Sequence, residues 1–406
     1  MAKSIRFFIE GTEHNQWLSC EVSRDLKDFS GAFSFTFRDG ARSSLSLPFA
    51  TAPLFSITGP LLKLRPGPTV TIKIGRRTVL KGWIDKVEPD IGDGQASVTI
   101  SGRDVANDLI DCAAMADQAE YANVKLEDAV ARIAKPYGLT VRSEIDTGEP
   151  FARYSIDLAE TAFSAIEKGA RSRHALVLSD GIGGIVITQT GKTRAPAALT
   201  LPGNVLRSRG TFDYSGRHSD TTVRGQSEGA AKARGEARLD ATAEPIGAED
   251  RQDGDGSATT RERRGIAATG RAVDDEITRH RPVVHLARSQ ADGTSTQAEA
   301  ERRMRTARGE SEEFTLTVKG HEVGGQLWTV NQLVEVSDAY LDVYRDLLIS
   351  RVGWIEDYSG CVTDITVCSP EAFDAEPVGN RRTNRKGKKA GKTPATTTLD
   401  GTAEAL

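Results

Sequence analysis

The sequence predicts an α+β protein that is mainly β, with two related β-barrel domains flanking a small α+β middle domain. Alternating apolar residues near both ends, helical periodicity between them and a repeated Gly-Trp-Ile-acid motif lead to this prediction. The motif occurs in KGWIDKVEP at 81–89 and in RVGWIEDYS at 351–359. Because the chain has only four tryptophans, two in the same context indicate an internal repeat.

The residues on both sides of the motif extend the repeat. Apolar residues alternate at 70–74 before the first copy and at 333–336 before the second. Apolar return segments follow at 98–101 and at 365–368. Each copy therefore has the pattern of a strand, a loop, the Gly-Trp-Ile strand, a turn and a return strand, with a shorter turn in the second copy.

The two tryptophans of the motif are expected to be core residues. A tryptophan in the middle of an alternating strand buries a large apolar ring, and burial is its usual role there. We expect Trp83 and Trp354 to point inward at equivalent places of the two β units.

Helical periodicity predicts the middle domain. An apolar stripe that starts at Leu126 lies on one face of a helix that ends before Pro136. A second helix is predicted over 159–174, and a hairpin with a Gly-rich turn at 180–184 follows it. A polar helix is predicted near 294–312, just before the second β unit.

These patterns divide the chain into five segments. We expect a first β-barrel domain of the tube type at 1–111, which later strands could complete, and an α+β middle domain at 112–210. A second middle region is expected at 211–310, with a mobile loop at 227–265. A second β-barrel unit at 311–375 and a disordered basic tail at 376–406 are expected to follow.

Composition limits the classes of partner. The chain has 406 residues, with 53 basic and 57 acidic side chains and a net charge of −4. This balance does not favour nucleic acid or an anionic membrane as the main partner. Four cysteines without a CxxC pair, no recognisable leader and no long apolar run predict assembly in a reducing cytoplasm.

No motif indicates an active site. The Gly-rich segment 180–184 lacks the Lys-Ser/Thr of a P-loop, so a hairpin turn is expected there. His280 and His285 would need a further metal ligand, and His174 stands at a helix end, where it complements the helix dipole. Paired carboxylates are typical of solvated faces in so charged a chain. We therefore predict no enzyme, no cofactor, and no catalytic, cofactor-binding or metal-binding residue.

The first motif and the residues after it resemble the Mu-like baseplate hub proteins of contractile-tailed phages, within the late-control-D and VgrG N-terminal superfamily. The resemblance extends over about residues 20–373. It is carried by Gly82-Trp83-Ile84-Asp85, Ser101-Gly102-Arg103-Asp104 and Asp108-Leu109-Ile110-Asp111-Cys112.

The resemblance implies a structural adaptor in the baseplate of a virion tail, assembled in the bacterial host cytoplasm. It implies a homotrimer that joins the six-fold tail tube to the three-fold central spike. The implied partners are the other two copies, a trimeric spike protein, the tail tube protein and other baseplate proteins. Neither nucleic acid nor stable membrane insertion is expected.

Three alternatives remain open from the sequence. A VgrG-like or late-control-D spike component would share the fold. A peptidoglycan hydrolase of the tail tip would degrade cell-wall fragments and lose this activity when one carboxylate is changed. An oligonucleotide-binding barrel would show affinity that falls steeply with salt.

Limited proteolysis is expected to cut the chain first within 227–265. This segment has almost no large apolar residues, and backbone with few buried contacts is open to a protease. Intact-mass analysis of the first fragments checks the prediction. First cleavage at another place would contradict it.

Overall fold

The structure, a computed structural model, describes residues 3–38, 65–92, 95–115, 117–226, 267–287 and 293–373. Within these ranges the protein is mainly β with few helices, which confirms the predicted fold class. The predicted loop at 227–265 and tail at 376–406 lie outside them. No helix in these ranges is long and apolar enough to cross a membrane.

The chain forms two compact units. The first contains the described residues within 1–210 and 313–370, and the second contains those within 211–312 and 371–374. The five-segment division of the sequence stays a prediction.

The N-terminal β unit is an antiparallel row of seven strands. They are β1 (Ile5–Ile9), β2 (Thr12–His14), β3 (Trp17–Asp25), β4 (Ala32–Arg38), β5 (Thr69–Ile74), β6 (Arg77–Gly92) and β7 (Gln95–Asp104). Their order is β3-β4-β7-β6-β5-β1-β2.

Alternation along these strands fills one core. The apolar residues predicted at 70–74 are buried, as are Phe33 and Phe35 of β4. Phe7 of β1 stacks on Phe35 with ring centroids 4.2 Å apart. Since β1 and β4 are not neighbours in the row, this contact crosses the inside of a curved sheet.

The middle region contains both predicted helices. Its elements are α1 (Asp108–Asp111), β8 (Glu120–Val124), α2 (Leu126–Ala134), β9 (Thr140–Ser143), β10 (Phe151–Ser155), α3 (Ala162–Ser172), β11 (Leu176–Ser179) and β12 (Gly184–Thr188). The apolar stripe that starts at Leu126 is buried, as predicted. A side chain at Gly169 of α3 would lie 2.6 Å from the Tyr154 ring, so this glycine lets α3 approach β10 closely.

The C-terminal β unit is built around a long central strand. Its strands are β13 (Thr193–Arg194), β14 (Leu199–Leu201), β15 (Val205–Phe212), β19 (Glu312–Lys319), β20 (Glu322–Val323), β21 (Gln326–Leu327), β22 (Gln332–Asp338), β23 (Val343–Asp357) and β24 (Gly360–Cys368). The main order is β22-β23-β24-β19-β15, with β13 and β14 paired to β22. β20 and β21 form a separate hairpin.

One edge of β23 serves both β units. Residues 343–348 pair with β22, and residues 351–356 pair with β3. The change falls at Ser350, an extra residue in the β23–β24 ladder. The Ser350 carbonyl accepts the Leu26 backbone N–H at 2.8 Å. The two β units therefore form one continuous sheet, because the bulge redirects the strand without leaving this carbonyl unpaired.

The second compact unit contains a three-stranded sheet and a helix. Its elements are β16 (Asp220–Gln226), β17 (Ala267–Val273), β18 (Pro282–Leu286) and α4 (Gly293–Glu310), and the strand order is β17-β16-β18.

A small apolar core and a buried ion pair hold this unit together. The core consists of Val223, Ala272 and Ala300. Arg217 is fully buried and donates hydrogen bonds to Asp274 at 2.7, 2.9 and 3.0 Å and to Glu276 at 2.8 Å. Removing Arg217 would leave the buried Asp274 carboxylate without its cation, which is strongly destabilising.

The motif tryptophans do not occupy equivalent places. Trp354 is 2% exposed, as predicted, but Trp83 is 39% exposed, so the prediction of an inward Trp83 is wrong. The side-chain period of a strand is two, and one extra residue reverses the face. β23 has its extra residue before the motif at Ser350, whereas β6 has irregularities at Val79 and Asp85.

The hairpin registers also differ. Trp83 lies opposite Arg103, far from the closing pair of its hairpin, whereas Trp354 lies opposite Thr363 and near the closing pair Asp357 and Gly360. The strand order of the repeat is confirmed, since β5-β6-β7 and β22-β23-β24 are both antiparallel meanders. The sequence predicted a shorter turn after the second copy of the motif. The structure shows instead that the second copy lies closer to the end of its hairpin than the first copy does.

Replacing each tryptophan by alanine should separate the two environments. Trp354→Ala is expected to cost about 3–5 kcal/mol, because it empties a buried site. Trp83→Ala is the matched control and should cost clearly less, since much of its ring is in solvent. Denaturant unfolding and soluble yield measure both effects. Equal losses for the two variants would contradict the assignment of faces.

Candidate functional site

Three side chains form a row across the junction of the two β units. Cys20 of β3 is opposite Glu356 of β23, and Glu356 is opposite Cys361 of β24. Directly opposed residues in antiparallel strands project from the same face. The row is therefore fixed by strand register, and Glu356 stands at its centre with only 5% exposure.

Glu356 holds the start of β1. Its Oε2 accepts the Ile5 backbone N–H at 2.9 Å, the Ser4 hydroxyl at 2.8 Å and the Ser4 backbone N–H at 3.0 Å. Glu356 lies on β23, which pairs with β3, and β3 and β1 are at distant positions in the row of strands. These bonds therefore connect two distant parts of the row. Lys3 extends the contact, because its ammonium donates to the Trp17 carbonyl of β3.

His321 lies next to this row, between β19 and β20. Its ring, Glu356 and Cys361 each offer a ligand atom, and these atoms lie within 4.8 Å of one another. The Nδ1 atom is 3.3 Å from the Thr363 hydroxyl, and Nε2 is buried without a hydrogen-bond partner. Ser4, Cys20, His321, Glu356 and Cys361 together are called the Glu356 cluster below.

Burial controls the ionisation of the cluster. Desolvation lowers the pKa of His321, although the charges of Glu356 and Glu322 oppose the shift. Desolvation raises the pKa of the Cys361 thiol, and the charge of Glu356 contributes to the same shift. It also raises the pKa of Cys20 far above its usual range. The histidine is therefore neutral and both thiols are protonated at neutral pH.

A second carboxylate performs a similar task in the C-terminal β unit. Asp338 at the end of β22 is 1% exposed and accepts a hydrogen bond from the Ser208 hydroxyl of β15. Its other oxygen accepts the backbone N–H groups of Tyr340 and Leu341 at 2.8 and 3.0 Å. Because β22 and β15 are at opposite ends of their row, this side chain also links the two ends.

A polar depression of about 400 Å³ lies along the junction. It is lined by residues of β3, β4, β19, β23 and β24 and of the segment between β3 and β4, including Asp25, Asp28 and Glu313. Lys27 forms an ion pair with Glu313 at 2.6 Å. Burial raises the pKa of Asp25, while its bond from the Lys27 backbone N–H opposes the shift. Glu313 is thus paired with a cation and Asp25 with a backbone donor, which is typical of a structural network.

None of the candidates named from the sequence is a member of the Glu356 cluster or lines the polar depression. Residues 180–184 form the turn between β11 and β12, so the predicted hairpin is confirmed. His280 is exposed, and His285 is half-buried in β18. Desolvation and the charge of Arg303 lower the pKa of His285. His174 follows α3 with a φ of 52°, close to the predicted helix end.

The Glu356 cluster was missed by the sequence analysis. Residues 321, 356 and 361 show no metal-ligand spacing, and Cys20 is more than 300 positions away. Only the five-residue distance between Glu356 and Cys361 carries a signal. Two residues at the mouth of a tight hairpin face each other, so this spacing places Glu356 and Cys361 on one face.

Three family models match successive parts of the chain. Residues 4–104 match the N-terminal part of the Mu phage baseplate assembly protein GpP-like family. Residues 106–189 match the second domain of the baseplate hub protein gp44-like family. Residues 291–376 match the fourth domain of the Mu phage baseplate assembly protein GpP.

Full-length relatives agree with these matches. The chain is 29% identical over 393 residues to the baseplate hub protein gp44 of Escherichia phage Mu, covering 95% of this chain and 93% of the relative. The 43 kDa tail protein of prophage MuSo2 from Shewanella oneidensis is similar in structure, with a TM-score of 0.72, 26% identity, and coverage of 91% of this chain and 99% of the other. The tail protein from Neisseria meningitidis MC58 shares the fold, with a TM-score of 0.66, 19% identity, and coverage of 91% and 98%.

Glu356→Gln should loosen the start of the chain. A neutral amide keeps one acceptor oxygen and presents N–H groups to backbone donors, so we expect a loss of about 1.5–3 kcal/mol. Hydrogen exchange at Ser4 and Ile5 should increase, and the melting temperature should fall.

Glu21→Gln is the matched control for this change. Glu21 lies on the adjacent strand and pairs with Arg351 at the surface, with side chains 44% and 40% exposed. Exposed pairs of this kind contribute about 1 kcal/mol or less. Unchanged exchange at Ser4 and Ile5 in Glu356→Gln would refute the assigned role of Glu356.

Proposed function

Because the chain belongs to the Mu-like baseplate hub proteins of phage tails, we propose that it forms a homotrimer that joins the six-fold tail tube to the three-fold central spike. In this proposal each chain contributes two barrel-like β units to a ring. The ring presents six similar surfaces to the tube and three identical ones to the spike.

The continuous sheet is the observation that carries the proposal. The pairing of β3 with β23 fixes the N-terminal and C-terminal β units side by side in one chain. Both units contain a three-strand antiparallel meander with the same motif on its central strand. A flexible linker would not hold two such units at a constant angle, whereas a shared ladder does.

Symmetry gives a reason for two units per chain. A closed three-fold and a closed six-fold assembly share no common interface unless one component presents both symmetries. Three chains with two similar units each meet this condition. The opposite faces of Trp83 and Trp354 mean that the two units are not identical, so the tube-facing surface would be only approximately six-fold.

The proposal includes the partners and the site of assembly. The hub would contact a trimeric spike protein, the tail tube protein and other baseplate proteins, and it would assemble in the host cytoplasm. No nucleic acid or stable membrane insertion is required by this role.

We also propose that the chain is not an enzyme. The relatives named above are called a baseplate hub protein and tail proteins, and Lys27 binds both Glu313 and Asp25 of the polar depression. The competing peptidoglycan-hydrolase hypothesis requires degradation of cell-wall fragments that Asp25→Asn abolishes. That result would overturn the non-enzyme assignment.

A mass measurement of the purified full chain tests the trimer. Light scattering across a range of protein concentrations should give three times the chain mass of 43.7 kDa. A species that stays monomeric at the highest concentrations would contradict the proposal. A stable dimer or hexamer would contradict the three-fold match to the spike.

A further inference from the structure

We propose that the Glu356 cluster holds a zinc ion in the C-terminal β unit, next to the start of β1. The protein ligands are a ring nitrogen of His321, a carboxylate oxygen of Glu356 and the sulfur of Cys361. Their ligand atoms lie within 4.8 Å of one another, and His321 and Glu356 are buried. This inference does not depend on the trimer or on the adaptor role.

The hydrogen bonds around His321 identify the ligand nitrogen. The Thr363 hydroxyl donates to the Gly320 carbonyl at 2.7 Å, so its oxygen can only accept from the His321 ring. Nδ1 therefore carries the proton, and Nε2 of the neutral ring has a free lone pair. This nitrogen is buried in a residue that is 4% exposed, and it has no hydrogen-bond partner. A metal-bound histidine has this arrangement, with the second nitrogen donating to a neighbouring oxygen.

Glu356 retains a free acceptor after it has bound the start of the chain. The shorter bonds from Ser4 and Ile5 all reach Oε2, and of the bonds from these two residues Oε1 receives the Ser4 backbone N–H at 3.1 Å. The Cys361 thiol also bonds the Glu356 carboxylate, and this bond would be replaced when the thiol loses its proton to bind zinc. Oε1 therefore has lone pairs for a cation. The same carboxylate would then bind the ion through one oxygen and β1 through the other.

The donor set favours zinc over harder cations. A nitrogen, a sulfur and one oxygen are ligands of zinc, whereas magnesium and calcium take oxygen ligands. Bonds of about 2.0–2.3 Å hold neighbouring ligand atoms roughly 3.5 Å apart in a tetrahedron. The cluster needs only a small contraction to reach this geometry, and a water molecule would complete the fourth position.

Charge balance supports the same ion. On binding, the Cys361 thiol loses its proton to solvent and its sulfur forms the bond to zinc. One thiolate and one carboxylate then neutralise the double positive charge, and the histidine stays neutral. The ligands and the ion together are therefore neutral, which lowers the cost of keeping the site away from water.

Metal content and a cobalt spectrum test the proposal. The full-length protein is stripped with a chelator, dialysed against zinc and then against buffer, and its zinc is measured by mass spectrometry. We expect about one zinc ion per chain. The variants His321→Gln and Cys361→Ser should each bind zinc at least about tenfold more weakly than the unchanged protein. Cys112→Ser and His280→Gln, which change exposed residues, are matched controls and should bind like the unchanged protein.

Cobalt keeps the test independent of variant folding. Cobalt added to the unchanged stripped protein should give the absorption bands of a tetrahedral site with a thiolate-to-metal transition, and zinc should displace them. No retained zinc, a cobalt spectrum without the thiolate transition, or unaltered zinc binding by folded His321→Gln would each overturn the proposal.

Discussion

The change of partner along one edge of β23 is the constraint on which the first compact unit depends. The strand pairs with β22 up to Leu348 and with β3 from Arg351 onward, and the extra residue between these ladders is Ser350. A strand that continued without a bulge would keep its edge on one neighbour. The bulge bends and twists it, which is how single strands pass from one sheet to another at corners.

The bulge is stable because its polar groups have partners from both β units. The Ser350 carbonyl accepts the N–H of Leu26, just beyond β3, and the Ile349 carbonyl accepts the N–H of Asn331, just before β22. The Ser350 hydroxyl donates to the Thr366 carbonyl of β24 at 3.2 Å. Buried backbone groups without such partners would cost free energy. The junction is therefore specified by hydrogen bonds as well as by apolar packing.

Local sequence patterns predicted the individual helices and strands, but they did not predict how these elements assemble. The helix from Leu126 and the strand with Val70, Ile72 and Ile74 follow from short periodicities. The face of Trp83 did not, because irregularities such as the one at Asp85 reset the phase of alternation and leave no clear mark in composition. The pairing of 20–25 with 351–356 joins residues some 330 positions apart, and no local pattern encodes it.

The same limit explains why the Glu356 cluster was not found from sequence. Its members come from the chain start, β3, the segment after β19, and the two strands of the last hairpin. Each residue alone has an ordinary interpretation, and only the register places Cys20, Glu356 and Cys361 in one row. The missing signal is one of topology, since the residue types themselves suit a metal site.

Two buried carboxylates close the two β units where backbone ladders do not. Glu356 accepts the first backbone N–H groups of β1, and Asp338 links the end of β22 to β15 through the Ser208 hydroxyl. A strand end that meets another strand at an angle cannot continue a regular ladder, yet its N–H groups still need acceptors. A carboxylate supplies several acceptor sites from one flexible side chain and tolerates varied directions. An apolar residue at either position would leave buried donors unpaired. These two acids therefore determine how each row of strands curves and also contribute to its stability.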